Sequence, residues 1–138
     1  MLVTDGQGLP LGFIVAGAHE AEISLAEETL ADVKVPQRRG RPKTRPREVV
    51  ADKAYDKALF RTKLRWRGIH PCIPERRNRK PRPGPKLQLE GYRRRWHIER
   101  TFAWLQNWRR LVTRWDRKAQ NYEAFVLLAC ILMTSNRF

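Results

Sequence analysis

Two stretches of this chain cannot bury a face, and they limit what the rest can build. Residues 34–47 hold seven lysines and arginines, three prolines and a glycine, with no acid and almost nothing apolar. Residues 74–91 are again rich in arginine, lysine, proline and glycine. Such segments read as loops, the first as a loop or a disordered arm. They leave three patterned pieces, 1–33, 48–73 and 92–136, to make the core. A chain of 138 residues suits one compact domain assembled from them.

Charge is distributed as unevenly as the loops. All 29 lysines and arginines follow Val33, whereas six of the 14 acids precede it, so residues 34–138 carry a net charge of +21. An excess of that size, dominated by arginine, points to a polyanion and favours nucleic acid over an ordinary solvated face. Cys72 and Cys130 lie far apart and outside any paired motif, which fits a reducing cytoplasm. His19, His70 and His97 are scattered without zinc-ligand spacing. No signal peptide is expected, and the longest apolar run, residues 124–133, is too short to span a bilayer, so no membrane partner is expected.

Local patterns predict an α/β chain. Residues 1–4 and 11–16 flank the turn signal Asp5-Gly6-Gln7-Gly8 and predict a hairpin. Ser24 with Glu27 three residues on resembles a capping box and predicts a helix over 24–32. Residues 48–51 predict a short buried strand ending at Asp52, followed by a helix from Asp56 to about residue 67, stopped by Gly68. Residues 70–73 are another short strand. From Tyr92 to about residue 110 the pattern is helical, and a last helix over 121–136 carries Phe125, Leu128 and Leu132 on its expected core stripe. Later strands separated by helices argue for a mixed sheet flanked by helices. Trp104 and Trp108, at helical spacing, read as core; Trp66 and Trp115 are less determined.

Two carboxylates stand out. Asp52 ends a strand, where ligands bind in open α/β sheets, although a strand-end aspartate also serves to cap the next turn. Glu99 lies in an apolar-leaning helical segment, and Tyr92, Arg95, Glu99 and Gln106 fall on one stripe at 3.6 residues per turn. That stripe is either a site or an Arg95–Glu99 surface pair. Facing carboxylates can hold two Mg²⁺ ions for phosphodiester chemistry. Asp5, in a Gly-rich turn, reads as a turn former.

The run Val50-Ala51-Asp52-Lys53-Ala54-Tyr55-Asp56 resembles the second-aspartate strand of insertion-sequence DDE transposases. Tyr92, Arg95 and Glu99, spaced by two and then three residues, resemble that family's signature around its catalytic glutamate, and the likeness continues through Leu105. The resemblance implies a ribonuclease-H-like fold lacking its first strand, one partial catalytic domain over 1–138 with basic loops at about 34–47 and 75–91. It implies Asp52 and Glu99 as catalytic and metal-holding residues with Mg²⁺ (or Mn²⁺). DNA is the implied partner, contacted by Tyr92, Arg95, Arg76, Arg77, Arg79, Lys80, Arg109 and Arg110. Gln106 stands where the family's signature has a basic residue. The family's first aspartate lies on a strand before the hairpin, so the chain resembles a C-terminal part, with an upstream reading-frame product as a possible source of that aspartate and a homodimer as the possible complete form. The implied function is DNA transposition by Mg²⁺-dependent cleavage and strand transfer, with the isolated chain inactive. The alternative is a non-catalytic basic DNA-binding remnant, or a competitor of the full-length transposase.

Overall fold

Turn chemistry starts the fold. In a computed structural model, which describes residues 1–17, 19–76 and 89–136, strands β1 (Leu2–Thr4) and β2 (Pro10–Phe13) pair antiparallel. The Asp5 carboxylate accepts from the backbone N–H groups of Gln7 and Leu9, both at 2.8 Å, so Asp5 is the turn former expected. Helix α1 (Glu22–Asp32) follows, with the long basic loop after it. Strand β3 (Glu48–Val50), a 3-10 turn at Lys53–Tyr55, helix α2 (Ala58–Trp66) and strand β4 (His70–Cys72) form one strand–helix–strand unit in which β4 lies parallel to β3. Gly68, at φ +70°, ends the turn after α2 in a conformation that other residues resist. Among the described residues that follow, there are four helices: α3 (Leu89–Arg93), α4 (Trp96–Leu105), α5 (Arg109–Val112) and α6 (Ala119–Ser135).

The α/β class expected from the pattern holds, with one difference. Among the described residues the strands form two separate two-stranded sheets rather than a single mixed sheet. Strand β3 is correspondingly half-buried instead of buried, because only one of its edges is paired.

Two clusters make the core. Ala26 and Leu30 of α1, Phe60 and Leu64 of α2, with Ile69 and Ile73 around β4, form the larger. Leu2, Leu105 and Ala129 form the second, against which Ile98, Trp104, Trp108 and Leu111 pack, as expected for the two tryptophans. The strand period of two sends Val3 to the first cluster and Leu2 to the second, so β1 is covered on both faces. Trp66 and Trp115 are about four-fifths exposed and belong to neither.

Three local expectations need correction, and the alternatives left open for the first basic loop are decided for a loop. Helix α1 begins at Glu22 rather than at Ser24; Ala21 is its N-cap without a side-chain bond, and the Ser24 hydroxyl donates to the Ala21 carbonyl at 2.6 Å. The first basic loop is ordered, since Val35 and Lys43 exchange two backbone bonds of 2.9 Å and fold it back on itself. The expected long helix from Tyr92 is three helices, because bonds of three-residue spacing tighten the chain at Arg94–Arg95 and again at Asn107–Trp108. The core stripe of α6 is Ala129, Cys130 and Met133, whereas Leu128 and Leu132 are exposed. This helix is apolar almost all round, so periodicity does not select a face, and small residues allow the closest approach.

Gly8 ties the hairpin to α4. It adopts φ +87°, and a Cβ there would meet Thr101 Oγ1 at 3.0 Å and the His97 carbonyl oxygen at 3.1 Å. The buried Thr101 hydroxyl donates to the Gly8 carbonyl at 2.7 Å. Gly8→Ala is therefore expected to cost at least about 1–2 kcal/mol from the left-handed backbone alone. Gly6→Ala, with nothing within 4 Å of its Cβ position, serves as the near-neutral control in urea unfolding.

Candidate active site

Asp52 is set by the turn that follows β3. Its Oδ1 accepts from the Ala54 N–H at 2.6 Å and caps the 3-10 turn, so the capping reading of this aspartate is realised. The turn is itself clamped from below. Asp56 and Arg61 form a buried ion pair at 2.8 Å, with side-chain exposures of 0% and 8%. Asp56 Oδ2 also accepts from the Arg76 N–H at 3.0 Å, and Arg61 Nη2 donates to the Ile73 carbonyl where β4 ends. The Arg76 guanidinium donates to the carbonyls of Lys53 and Ala54 at 3.2 and 3.1 Å. Arg76, expected as a DNA contact, thus braces the Asp52 turn in this structure. The sequence pattern marks Asp56 only as a helix opener; nothing in a lone Asp five residues before an Arg announces a buried pair.

Glu99 projects from α4 into solvent. Its carboxylate pairs with Arg95 at 2.7 Å, with side-chain exposures of 56% and 37%, and the Arg95 guanidinium lies 5.7 Å from the Tyr92 ring centroid. The stripe Tyr92, Arg95, Glu99 is therefore brought together, although it runs from α3 across a turn into α4 rather than along one helix. Such an exposed i,i+4 pair contributes a few tenths of a kcal/mol.

Asp52 and Glu99 face a common groove of about 1200 Å³. Strands β1 and β3 border it, Ala26 and Leu30 of α1 lie at its floor, and Arg95, Ile98, Glu99 and Phe102 come from α4 and its N-cap. Lys43, Arg45 and Arg47 of the first basic loop give it a cationic lip, while Asp5, Glu22, Glu48, Asp52 and Glu99 supply acid. Tyr55, at the edge, donates to Glu22 Oε2 at 2.9 Å, and burial followed by that bond pushes its phenol well above the usual range. Burial, then the nearby Glu48, raises the Cys72 thiol, which keeps it protonated and unreactive.

The remaining expected residues lie apart from the groove lining or outside the described residues. Arg109 and Arg110 sit on α5, where Arg110 lies over the Phe125 ring at 4.5 Å and 3.8 Å from Asp116. Arg77, Arg79 and Lys80 lie outside the described residues, as does most of the second basic loop; its expected end at 91 is corrected, since α3 already begins at Leu89. Asp52 and Glu99 are hard oxygen donors of the kind Mg²⁺ takes. They are too few, because among the described residues no three His, Cys, Asp or Glu side chains come together to hold a metal ion. Within the same residues, no helix is long and apolar enough to cross a membrane.

Comparison with known proteins decides the family. The model of the transposase DDE domain matches residues 1–134. The chain belongs to the DDE transposase family. A Burkholderia cepacia protein named as a transposase for insertion sequence element IS402 is 41% identical over 137 residues, 98% of this chain. The chain spans 61% of that relative's length. No solved structure matches.

The Asp56–Arg61 and Arg95–Glu99 pairs differ in burial, and so in what their loss does. Arg61→Ala strands the buried Asp56 charge and is expected to destabilise by about 3–5 kcal/mol. Arg95→Ala is expected to change the stability measured in urea by no more than a few tenths of a kcal/mol. Equal losses for both would show that the Asp56–Arg61 pair does not hold the turn.

Proposed function

We propose that this chain is the C-terminal part of the catalytic domain of an insertion-sequence transposase that binds element-end DNA and supplies Asp52 and Glu99 to phosphodiester cleavage and strand transfer. The observation that carries this is that a strand-end aspartate and an α4 glutamate line one groove, with Lys43, Arg45 and Arg47 in the same lining. Together with a third carboxylate from outside residues 1–138, Asp52 and Glu99 would hold Mg²⁺ (or Mn²⁺), which would supply polarisation of a phosphodiester and activation of the attacking oxygen.

The chain's own contribution is positioning. The 3-10 turn fixes the Asp52 carboxylate, and Arg95 orients Glu99. Lys43, Arg45 and Arg47, with the exposed Arg38, Arg39 and Arg41 beside them, neutralise phosphates along the lip. Tyr92, Arg95, Arg109 and Arg110 extend the DNA-binding surface along α3, α4 and α5, and Arg77, Arg79 and Lys80 add to it from the second loop. The third carboxylate comes from outside residues 1–138, either from preceding chain or from an upstream reading-frame product, and residues 1–138 alone do not cleave. A homodimer on paired element ends is the complete form, working in the cytoplasm.

Two measurements test this. Replacing Arg38, Arg39 and Arg41 by alanine should flatten the slope of log affinity against log salt by about 0.9 for each phosphate no longer neutralised. An unchanged slope places the DNA elsewhere. In a longer protein that includes the third carboxylate, Asp52→Ala and Glu99→Ala should each remove Mg²⁺-dependent cleavage of element-end DNA while leaving duplex binding within about twofold. The absence of three converging acids among the described residues and the Arg95–Glu99 pair favour a second reading, a non-catalytic DNA-binding remnant. Cleavage that survives both substitutions would leave that reading in place for Asp52 and Glu99.

A further inference from the structure

The last helix has a face that the core does not use. Along α6, Ala124, Leu127, Leu128, Ile131, Leu132 and Ser135 are all exposed, and their alternating spacing of three and one sets them in one continuous stripe. Leu127, Leu128, Ile131 and Leu132 keep 36–54% of their surface in water. The buried stripe of the same helix, Ala129, Cys130 and Met133, lies on the opposite side, since Met133 follows Ala124 by about two and a half turns. No α6 residue lines the groove, so nothing bound there covers this face.

Charge excludes from this face the partner that the rest of the surface suits. In a chain with a net charge of +15, α6 carries a single charged residue, the half-buried Glu123, and its exposed stripe carries none. A polyanion finds no cation there, and a contiguous apolar stripe marks contact with another apolar surface. The ends of the helix are also mismatched to their own dipole. Its positive N-terminus has the exposed Arg117 and the N-cap Lys118 beside it and no acid in the first turn, while its negative C-terminus has no base in the last turn. A second α6 laid antiparallel supplies what each end lacks, because it brings Arg117 and Lys118 of one copy to the carbonyl end of the other.

We propose that the exposed stripe of α6 pairs with the same stripe of a second copy of this chain, as an antiparallel helix pair about a twofold axis between Leu127 and Leu128. In such an interface each contact is made twice, residue for residue, by the two copies. That axis sets Leu127 against Leu128, Ala124 against Ile131 and Gln120 against Ser135. A small side chain thus faces a large one beside the axis, and the exposed polar residues meet at the rim. This pairing rests on the reading that the complete form is a homodimer, and it assigns the contact to α6, apart from the groove.

Sedimentation equilibrium of residues 1–138 up to about 100 μM reads the pairing, a range suited to a helix pair of about 25 Å, which is small for an interface. The expected result is a dimer whose dissociation constant rises by at least about tenfold in Leu128→Asp, because a carboxylate is then buried unpaired at the axis. The unfolding midpoint of the dilute monomer should not change, since this side chain is exposed there. Gln120→Cys and Ser135→Cys read the register. Mixed and oxidised, the two variants should form a disulfide, whereas each alone should not, because identical positions then lie about 22 Å apart along the axis. The native Cys72 and Cys130 are buried and do not compete. A monomer at every concentration overturns the proposal, as does a dimer that Leu128→Asp leaves intact, or cross-linking of either single variant in place of the mixture. So does a longer chain, carrying the relative's remaining two fifths or so, that is monomeric where residues 1–138 dimerise, which would give the stripe to that segment. The homodimer reading fails separately, only where element-end DNA is bound by a single chain.

Discussion

The Asp56–Arg61 pair is the constraint on which the Asp52 turn depends. Taking both charges out of water is costly, and their mutual attraction offsets that cost only when the remaining hydrogen-bonding capacity is met. Here it is met by backbone. Both Asp56 oxygens accept, and Arg61 reaches the carbonyl at the end of β4. One polar cluster thereby joins the turn after β3, the first turn of α2 and the exit of β4. The same cluster carries Arg76, whose guanidinium closes on the Lys53 and Ala54 carbonyls. Asp52 is held at its strand end by a network in which it makes only the outermost bond.

Glu99 is held by a different structure. Helix α4 is pinned to the hairpin through Thr101 and Gly8 and to the second cluster through Leu105. Asp52 belongs to the β3–β4 unit and Glu99 to the hairpin unit. The two pack together through Val3, Val49 and the α1 side chains, but β1 and β3 belong to different sheets. The separation of the two carboxylates is thus governed by side-chain packing across the groove rather than by a hydrogen-bonded ladder. Packing of apolar side chains without direction is the softer of the two constraints.

What can be read from the residues follows from how local each feature is. The Asp5 turn, the stop at Gly68 and strands β3 and β4 depend on neighbours in sequence, and they stand where expected. The capping reading of Asp52 and the Arg95–Glu99 pair are equally visible, spanning two and four residues. The start of α1 is misplaced because Ser24 has two uses, and its hydroxyl takes the carbonyl behind it rather than a cap position. The face of α6 is not legible because an almost wholly apolar helix offers no contrast. The Asp56 cluster and the hydrogen bond from Thr101 to Gly8 join residues up to 93 positions apart, and no local pattern encodes them.

The contrast between the Asp56–Arg61 and Arg95–Glu99 pairs bears on which acid is free for chemistry. Asp56 is wholly buried and bonded through both oxygens, so it cannot exchange its partner without unfolding its surroundings. Glu99 is more than half exposed and held by Arg95 at a cost of separation of only a few tenths of a kcal/mol. Asp52 lies between these limits, half-buried with one oxygen in the cap. Asp52 and Glu99 line the groove, whereas the buried Asp56 is not among its lining residues. The sequence singles out residues 52 and 99 and marks 56 only as a helix opener; burial makes Asp56 the acid that builds the turn and leaves Asp52 and Glu99 in the groove lining.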